Sequence, residues 1–322
     1  MTRRAETLNG RCRGPALGLA RITVGLLWLA NIHWKVPSDF GEASGGGLFK
    51  FSESITRNSP FAPFTWVTEE IILPNFGFFG WFTLVIETAL AMLLIIGYRT
   101  RIAALAGVAM SIPIALSVLY YDRADEWSWA YTLMITAHIM VWASDAGAHL
   151  GVDGVLRRRD PNAARRAITT IGVITTVIGV AGLFVSRSLS FTGRQVALLG
   201  SDAGFVDADG RLVRRWDLKF LWFNPLWAIL TIVAGVLLLV AIRHLLAARV
   251  AGSGLVALAV IVFATRTFDY VRDDDVIQKI STGSNAAVWG GLGLAALLFE
   301  RAARRMPDEP PVRDVPGTSR TT

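Results

Sequence analysis

Three ionisable side chains stand inside apolar stretches of the sequence, where a charge is costly and is a functional candidate by default. Arg21 interrupts the first apolar run, Glu87 lies in the middle of the second, and His138 lies in the fourth. An arginine and a carboxylate on antiparallel helices can form a buried pair, and a histidine can bond a carbonyl or relay a proton. These residue types predict a headgroup site or a proton site inside a membrane, with Arg21 and Glu87 in contact below its midplane.

Each of the three residues also has a purely structural interpretation. The Arg21–Glu87 pair would equally fix the register of two helices, and a buried histidine often bonds a neighbouring helix. Metal binding is not expected, because the sequence has no HExxH or comparable ligand spacing and only one cysteine, Cys12. The sequence also has no P-loop, no dinucleotide-binding glycine motif and no GxSxG elbow.

A second group of candidate residues follows the first apolar run. His33-Trp34-Lys35 ends that run, and Trp66 lies in the aromatic stretch of the following loop. A lysine beside a tryptophan is the usual anchor at a membrane interface. The alternative is a cationic lip that attracts an anionic substrate. His33, Lys35 and Trp66 are therefore the candidate substrate-binding residues.

The composition determines the kind of element that must position these residues. Of the 322 residues, 53% are hydrophobic and only 18% are charged, whereas soluble domains carry about 25% charge. A soluble chain of this length could not bury so much apolar side chain in one or two cores. The net charge of +7 does not indicate nucleic-acid binding, because the basic residues separate apolar spans. The composition predicts an all-α polytopic membrane protein within the lipid bilayer.

About eight apolar segments are long enough to cross the hydrocarbon as helices. They are Pro15–Trp34, Phe76–Tyr98, Ile102–Tyr121, Trp127–Ala146, Ala167–Val185, Phe220–Leu245, Gly252–Phe268 and Asn285–Phe299. Two long outer loops separate them, at Pro37–Asn75 and Arg187–Lys219. In the second loop, Asp-Gly between apolar residues of Val206–Val213 predicts a small β-hairpin.

The distribution of lysine and arginine predicts the orientation. In the first half, 11 basic residues fall in the predicted inner segments and 4 in the outer ones, which places the N-terminus on the cytoplasmic side of a cell (plasma) membrane. In the second half the counts are nearly even, 7 and 8, so the even number of spans places the C-terminus on the same side. The predicted organisation is a cytoplasmic N-terminus at 1–14, a four-helix membrane domain at 15–160, a second four-span region at 161–305 with an outer loop at 187–219, and a disordered cytoplasmic tail at 306–322.

Four short motifs occur in order along the first half. They are Arg21–Trp28 with Trp34-Lys35, Ser59–Trp66 with Pro74–Gly77, Glu87 with Leu94–Arg101, and Trp127–Tyr131 with Asp145–Asp153. With these motifs, the chain from about Ala20 to Arg159 resembles the DoxX/DoxD family of four-span membrane proteins. One position departs from the family pattern, because His149 stands where a basic or polar residue is expected. The second four-span half is not part of the minimal family.

The resemblance implies a function as well as an N-terminal DoxX-like four-helix bundle. DoxD is the membrane subunit of thiosulfate:quinone oxidoreductase, so the implied function is that of a membrane subunit of a quinone-linked oxidoreductase with a redox partner subunit. Quinone is the implied cofactor, and no covalent cofactor is expected. Arg21, Glu87 and His138 would line a quinone or proton site, while Lys35 and the outer loop would face an anionic donor.

Two other functions remain open at this point. The first is a non-catalytic membrane scaffold for redox or envelope partners, in which the arginine-rich loop Arg157–Arg166 would dock a soluble partner or anionic lipid. The second is a small-molecule transporter built from two four-span repeats. A homo-oligomer is compatible with all three functions.

Overall fold

The computed structural model describes residues 2–119, 128–192, 194–199, 205–206, 212–213, 220–271 and 277–304. The α-helices are α1 (Thr2–Ile32), α2 (Gly47–Asn58), α3 (Ala62–Val67), α4 (Phe76–Ile96), α5 (Thr100–Leu119), α6 (Ser128–Ala143), α7 (Val152–Arg158), α8 (Pro161–Ser186), α9 (Pro225–Val240), α10 (Leu245–Thr265) and α11 (Gly283–Ala303). A π-helical turn at Thr68–Ile72 and a 3-10 turn at Leu73–Asn75 join α3 to α4.

Six short strands form three antiparallel pairs. The strands are β1 (Val196–Leu199), β2 (Phe205–Val206), β3 (Leu212–Val213), β4 (Phe220–Phe223), β5 (Thr267–Val271) and β6 (Ile277–Ser281). β1 pairs with β4, β2 with β3, and β5 with β6. The β2–β3 pair, with Val206 opposite Leu212, confirms the predicted hairpin, although the residues of its turn lie outside the described ranges.

The structure confirms a helical membrane protein. Six described helices are long and apolar enough to cross a bilayer, and two shorter apolar helices, Ala130–Ala143 and Pro225–Val240, accompany them. Two predicted features are wrong, the extent of one helix and the nature of one loop. The segment Phe220–Leu245 is not one helix, because Asn224 caps α9 through a bond from Trp227 N (3.0 Å) and the proline at the next position fixes the helix start. The segment 37–75 is largely helical rather than a loop.

Successive apolar helices alternate in direction, so the bundle has two distinct ends. We call the end that carries segments 33–75 and 266–282 the loop face, and the end that carries turns 97–99, 144–160 and 241–244 the turn face. An even number of passes brings the start of α1 and the end of α11 to the turn face. α3 continues through the π-helical turn into α4 as one apolar stretch, Ala62–Ile96.

Helix α11 lies at the centre of the bundle. In the most apolar segment of α11, 72% of the residues are buried, whereas the corresponding value for the other five long helices is 28–39%. Glycines allow this central position, because they let neighbouring backbones approach closely. Gly291 faces Ile96 and Met92 of α4, while Gly293 faces Gly252 of α10. α11 therefore joins the first half of the chain to the second.

We expect Gly293→Ala to weaken the α10–α11 contact. A Cβ at Gly293 would lie 2.7 Å from the carbonyl oxygen of Gly252, a backbone atom that cannot move aside alone. Overpacking of this kind costs about 1–3 kcal/mol. The expected result is a lower midpoint of thermal unfolding in detergent, followed by tryptophan fluorescence.

Gly254→Ala is the matched control for this substitution. A Cβ at Gly254 meets no atom within 4 Å, and alanine is the better helix former. Its unfolding midpoint should stay the same or rise. Equal midpoints for the two variants would contradict a tight α10–α11 contact.

Candidate functional site

Buried polar groups lie along one side of α1 and in the residues that follow it. Arg21, Val24, Trp28, Ile32 and Lys35 recur every three or four residues, and each is at most 4% exposed. This spacing places the first four on one side of a helix of 3.6 residues per turn, and Lys35 follows three residues after the helix ends. A buried polar group without a partner costs free energy, so each of the polar members must find one inside the protein.

The ammonium group of Lys35 forms a buried ion pair with the carboxylate of Glu87. Lys35 Nζ lies 2.7 Å from Glu87 Oε2, and the two side chains are 2% and 0% exposed. Asn31 holds both partners: its backbone oxygen accepts from Lys35 Nζ (2.8 Å), and its Nδ2 donates to Glu87 Oε1 (3.3 Å). The Trp34 ring lies 4.2 Å from Lys35 Nζ, which adds a cation–π contact.

A buried hydroxyl without a hydrogen-bond partner lies one helical turn from Glu87. Thr83 precedes Glu87 by four residues, so both lie on one face of α4. Within the described residues, Thr83 Oγ1 has no hydrogen-bond partner, and it is buried. The Phe40 ring packs against Gly80, which continues this face towards the loop face. Phe40 therefore covers the face of α4 that carries Gly80, Thr83 and Glu87, at its end nearest the loop face.

The second half of the chain closes this region from the other side. Gly283, at the start of α11, packs against Ile32 and Thr88, beside the ion pair. The backbone N–H of Ser281 donates to the carbonyl of His33 (2.8 Å), and the His33 ring lies 6.5 Å from that of Trp222. The ion pair is therefore enclosed by both halves of the bundle.

Arg21 does not contact Glu87, which corrects the predicted ion pair. Its guanidinium donates to the carbonyls of Leu94 and Ile95 (2.9 Å to the latter) and to that of Leu150 (2.8 Å). The reason is the offset of two antiparallel helices: Gly25 of α1 packs against Ile95, which places Arg21 near the end of α4. Ten residues separate Arg21 from Asn31, about 15 Å along a helix.

The guanidinium of Arg21 caps the C-terminal end of α4. The last carbonyls of a helix lack intrahelical partners and carry partial negative charge, so a cation there is stabilising. Gly97 ends α4 in the left-handed conformation (φ 68), and a Cβ at this position would lie 2.6 Å from the Arg21 guanidinium. Glycine is required at position 97 for both reasons.

His138 uses both ring nitrogens in contacts within the bundle. Its Nε2 accepts a hydrogen bond from Trp28 Nε1 (2.8 Å), and its Nδ1 lies 2.7 Å from the Met134 carbonyl, to which it donates. The ring packs against Gly107 of α5. His138 therefore joins α6 to α1 one turn below Asn31, and the structure does not bring it into contact with Glu87.

The predicted substrate-binding residues are separated. His33 and Lys35 lie beside the ion pair, whereas Trp66 is 59% exposed on α3. Trp66 precedes Glu87 by 21 positions in the Ala62–Ile96 helical stretch, about 30 Å of helix. Lys35 is buried and paired, so its charge is not displayed on an exposed lip.

Sequence reasoning missed Asn31 and Thr83. A signal for Asn31 exists, because it precedes Lys35 by four residues and so shares its helix face. The same signal exists for Thr83, because it precedes Glu87 by four residues. Across the described residues, no group of three or more His, Cys, Asp or Glu could hold a metal ion.

We expect Lys35→Met to destabilise the protein strongly. The substitution leaves the Glu87 carboxylate buried without its partner, and loss of one member of a buried ion pair costs about 3–5 kcal/mol. The double variant Lys35→Met/Glu87→Met removes both charges and should recover most of this loss. Thermal unfolding of the three proteins in the same detergent measures the coupling.

Arg57→Met provides the control for loss of an ion pair at the same face. Arg57 pairs with Glu53 at 2.5 Å on the surface of α2, with side chains 69% and 35% exposed. Such pairs contribute at most about 0.5 kcal/mol. A loss as small for Lys35→Met, or no recovery in the double variant, would contradict the buried pair.

A known protein family matches the first part of the chain. The model of the family described as "TQO small subunit DoxD" matches residues 19–199, which extend from α1 into β1 and include α8. The match thus continues beyond Arg159, where the resemblance seen in the sequence ends. No curated protein and no solved structure matches the chain significantly. Because the matched stretch covers more than half of the 322 residues and consists mainly of membrane-spanning helices, the chain belongs to the DoxD family.

Proposed function

We propose that the protein is the membrane subunit of a quinone-linked oxidoreductase of the thiosulfate:quinone type. Membership of the DoxD family supports the reaction class. One observation carries the assignment of the site: the Lys35–Glu87 ion pair is buried beside Thr83, whose hydroxyl has no hydrogen-bond partner among the described residues. A buried polar atom without a partner requires an explanation, and a ligand is one.

The residues around Glu87 fit a quinone. A quinone presents two carbonyl oxygens that need donors, and its ring needs an apolar environment. The Thr83 hydroxyl supplies a donor, and Phe40 and Leu84 supply apolar surface on the same side of α4. Thr83 would hold the quinone, and Glu87 would lie within one helical turn of it.

The ion pair can hold and transfer a proton. When bound, a quinone accepts two electrons and takes up two protons. Lys35 Nζ can pass a proton to Glu87 across 2.7 Å, which leaves two neutral groups in a site that disfavours charge. The Glu87 carboxyl then holds a proton inside the bundle, and Lys35 takes up another from the loop face. Phe40 packs against Gly80 on this face of α4, between the loop face and Glu87.

The arginines of the turn face support an orientation of the protein in the membrane. The turn face carries Arg99, Arg101 and Arg157–Arg159, so we place it, with both termini, in the cytoplasm of a plasma membrane. The loop face then lies outside, where a redox partner subunit would oxidise the anionic donor. Electrons would pass from that subunit to the quinone, and protons through Lys35 and Glu87.

A scaffold without catalysis is the second candidate function. The observation that favours it is the use of both terminal nitrogens of Arg21 and both ring nitrogens of His138 in contacts within the bundle. Such contacts are those of a rigid framework. In a scaffold, the Lys35–Glu87 pair would serve only to fix α1 against α4.

Thr83→Val tests the quinone site. Valine has the shape of threonine without the hydroxyl, so the protein should unfold at the same temperature or slightly higher. The loss of one hydrogen bond to the quinone, about 1 kcal/mol, should raise the KM for quinone roughly fivefold. Thiosulfate-dependent quinone reduction is measured spectroscopically in native membranes that contain the full chain and its natural partners.

Thr175→Val is the matched control for this substitution. Thr175 of α8 is equally buried, and its hydroxyl also lacks a partner among the described residues, but it belongs to the other half of the bundle. The KM for quinone should not change in this variant. An unchanged KM for quinone in the Thr83→Val variant would contradict the proposal that quinone binds at this site.

Glu87→Gln tests the proton transfer. The amide keeps the shape of the carboxyl group but cannot deliver a proton, and general acid catalysis contributes typically about 100-fold or more. The kcat for quinone reduction should fall by about this factor in protein shown to be folded by its unfolding curve. If membranes contain the folded wild-type chain but show no thiosulfate-dependent quinone reduction, the oxidoreductase proposal is overturned and the scaffold is favoured.

A further inference from the structure

A cavity of about 630 Å³ opens at the turn face, far from the Lys35–Glu87 pair. Arg99 and Arg101 line it from the turn between α4 and α5, and Arg157 and Arg159 line it from the end of α7. Ile102 and Leu156 complete its wall. Four arginines around one concavity provide planar groups that can each form paired hydrogen bonds to an oxyanion.

Two carboxylates, Asp153 and Asp145, lie near the four arginines, so the surroundings of the cavity keep an excess of two positive charges. Asp153 lines the cavity, but its oxygens accept from the backbone N–H groups of Arg99 (2.9 Å) and Thr100 (3.0 Å). Asp145 pairs with Arg157 at 2.6 Å. This hydrogen bond raises the pKa of Arg157 above its ordinary value, so Arg157 stays charged. In the described ranges, Arg101 and Arg159 have no carboxylate partner.

The backbone around the cavity is held in place. Arg99 and Arg159 both adopt the left-handed conformation (φ 48 and φ 50), which is uncommon for residues other than glycine and persists only where the surroundings enforce it. The N–H of Asp153 donates to the Gly97 carbonyl (2.9 Å), which ties the start of α7 to the α4–α5 turn. The arginines therefore project from two segments that are fixed against each other.

The cavity lies where an apolar span begins. Thr100 is the first residue of the apolar helix Thr100–Leu119, and Ile102, in the cavity wall, is 60% exposed. Leu105, one turn further along the same helix, is 50% exposed. The basic cavity thus adjoins exposed apolar surface, which is the arrangement needed for a lipid headgroup and its tails.

We propose that this cavity binds a phosphate group, and that an anionic phospholipid of the bilayer supplies it. Arg101 and Arg159 would contact the phosphate oxygens, Arg99 and Arg157 would contribute charge, and Ile102 would contact the acyl chain. A soluble phosphate compound would offer the same head chemistry without the tail. This site is independent of the quinone site, because it uses different residues at the opposite face of the bundle.

The test compares two double variants of the full chain that remove the same charge. Arg101→Gln/Arg159→Gln removes two cavity arginines, while Arg158→Gln/Arg165→Gln removes two exposed arginines of the same face that do not line the cavity. Native mass spectrometry measures the binding of phosphatidylglycerol and of phosphatidylcholine to each protein in detergent. Thermal unfolding shows that both variants are folded.

We expect wild-type protein to prefer phosphatidylglycerol and the cavity variant to bind it at least tenfold more weakly. The control variant should bind within about twofold of wild type. Equal weakening in both variants, or equal binding of the two lipids by wild type, would overturn the proposal.

A second arm of the experiment identifies the source of the phosphate. Inorganic phosphate and glycerol phosphate are added in large excess at constant ionic strength. If neither displaces phosphatidylglycerol, the lipid is the ligand, as proposed. If either displaces it from wild type, the phosphate site is retained but its ligand is soluble.

Discussion

Two opposite charges meet inside the bundle in a place that water does not reach, and much of the structure serves to keep them together. Lys35 follows the end of α1 and Glu87 lies in the middle of α4, so their contact fixes the two helices along their axes. Asn31 holds both groups, which reduces the cost of their removal from water. Phe40 and the start of α11 then complete the enclosure.

The other buried polar groups follow the same constraint with different partners. Arg21 satisfies its charge with the orphan carbonyls at the end of α4, where the helix dipole is negative. His138 satisfies its ring with Trp28 on one side and with its own helix on the other. Because the three contacts lie at different depths of α1, they fix its position against α4, the 149–150 turn and α6 independently.

The two ends of the bundle present different chemistry. At the loop face, strands and short helices cover the ion pair, and the second half of the chain contributes Gly283 and Ser281 to the closure. At the turn face, arginines remain around an open cavity. Charges buried away from water, as in the ion pair, suit proton transfer across a low-dielectric site. Charges exposed around a cavity, as at the turn face, suit the binding of a ligand from the surroundings. α11, with its glycine contacts to α4 and α10, holds both ends in one body.

The sequence alone determined that the chain is a helical membrane protein, because long apolar runs can satisfy their backbone in lipid only as helices. It also determined the β2–β3 hairpin, from local turn residues, and the requirement that Arg21, Glu87 and His138 find internal partners. Only the tertiary structure decided which partners they take. Glu87 pairs with Lys35 rather than Arg21 because the axial offset of α1 and α4 places Arg21 beside Leu94 and Ile95. That offset results from packing at Gly25 and from the chain beyond Ile32, contacts that depend on residues far apart in the sequence.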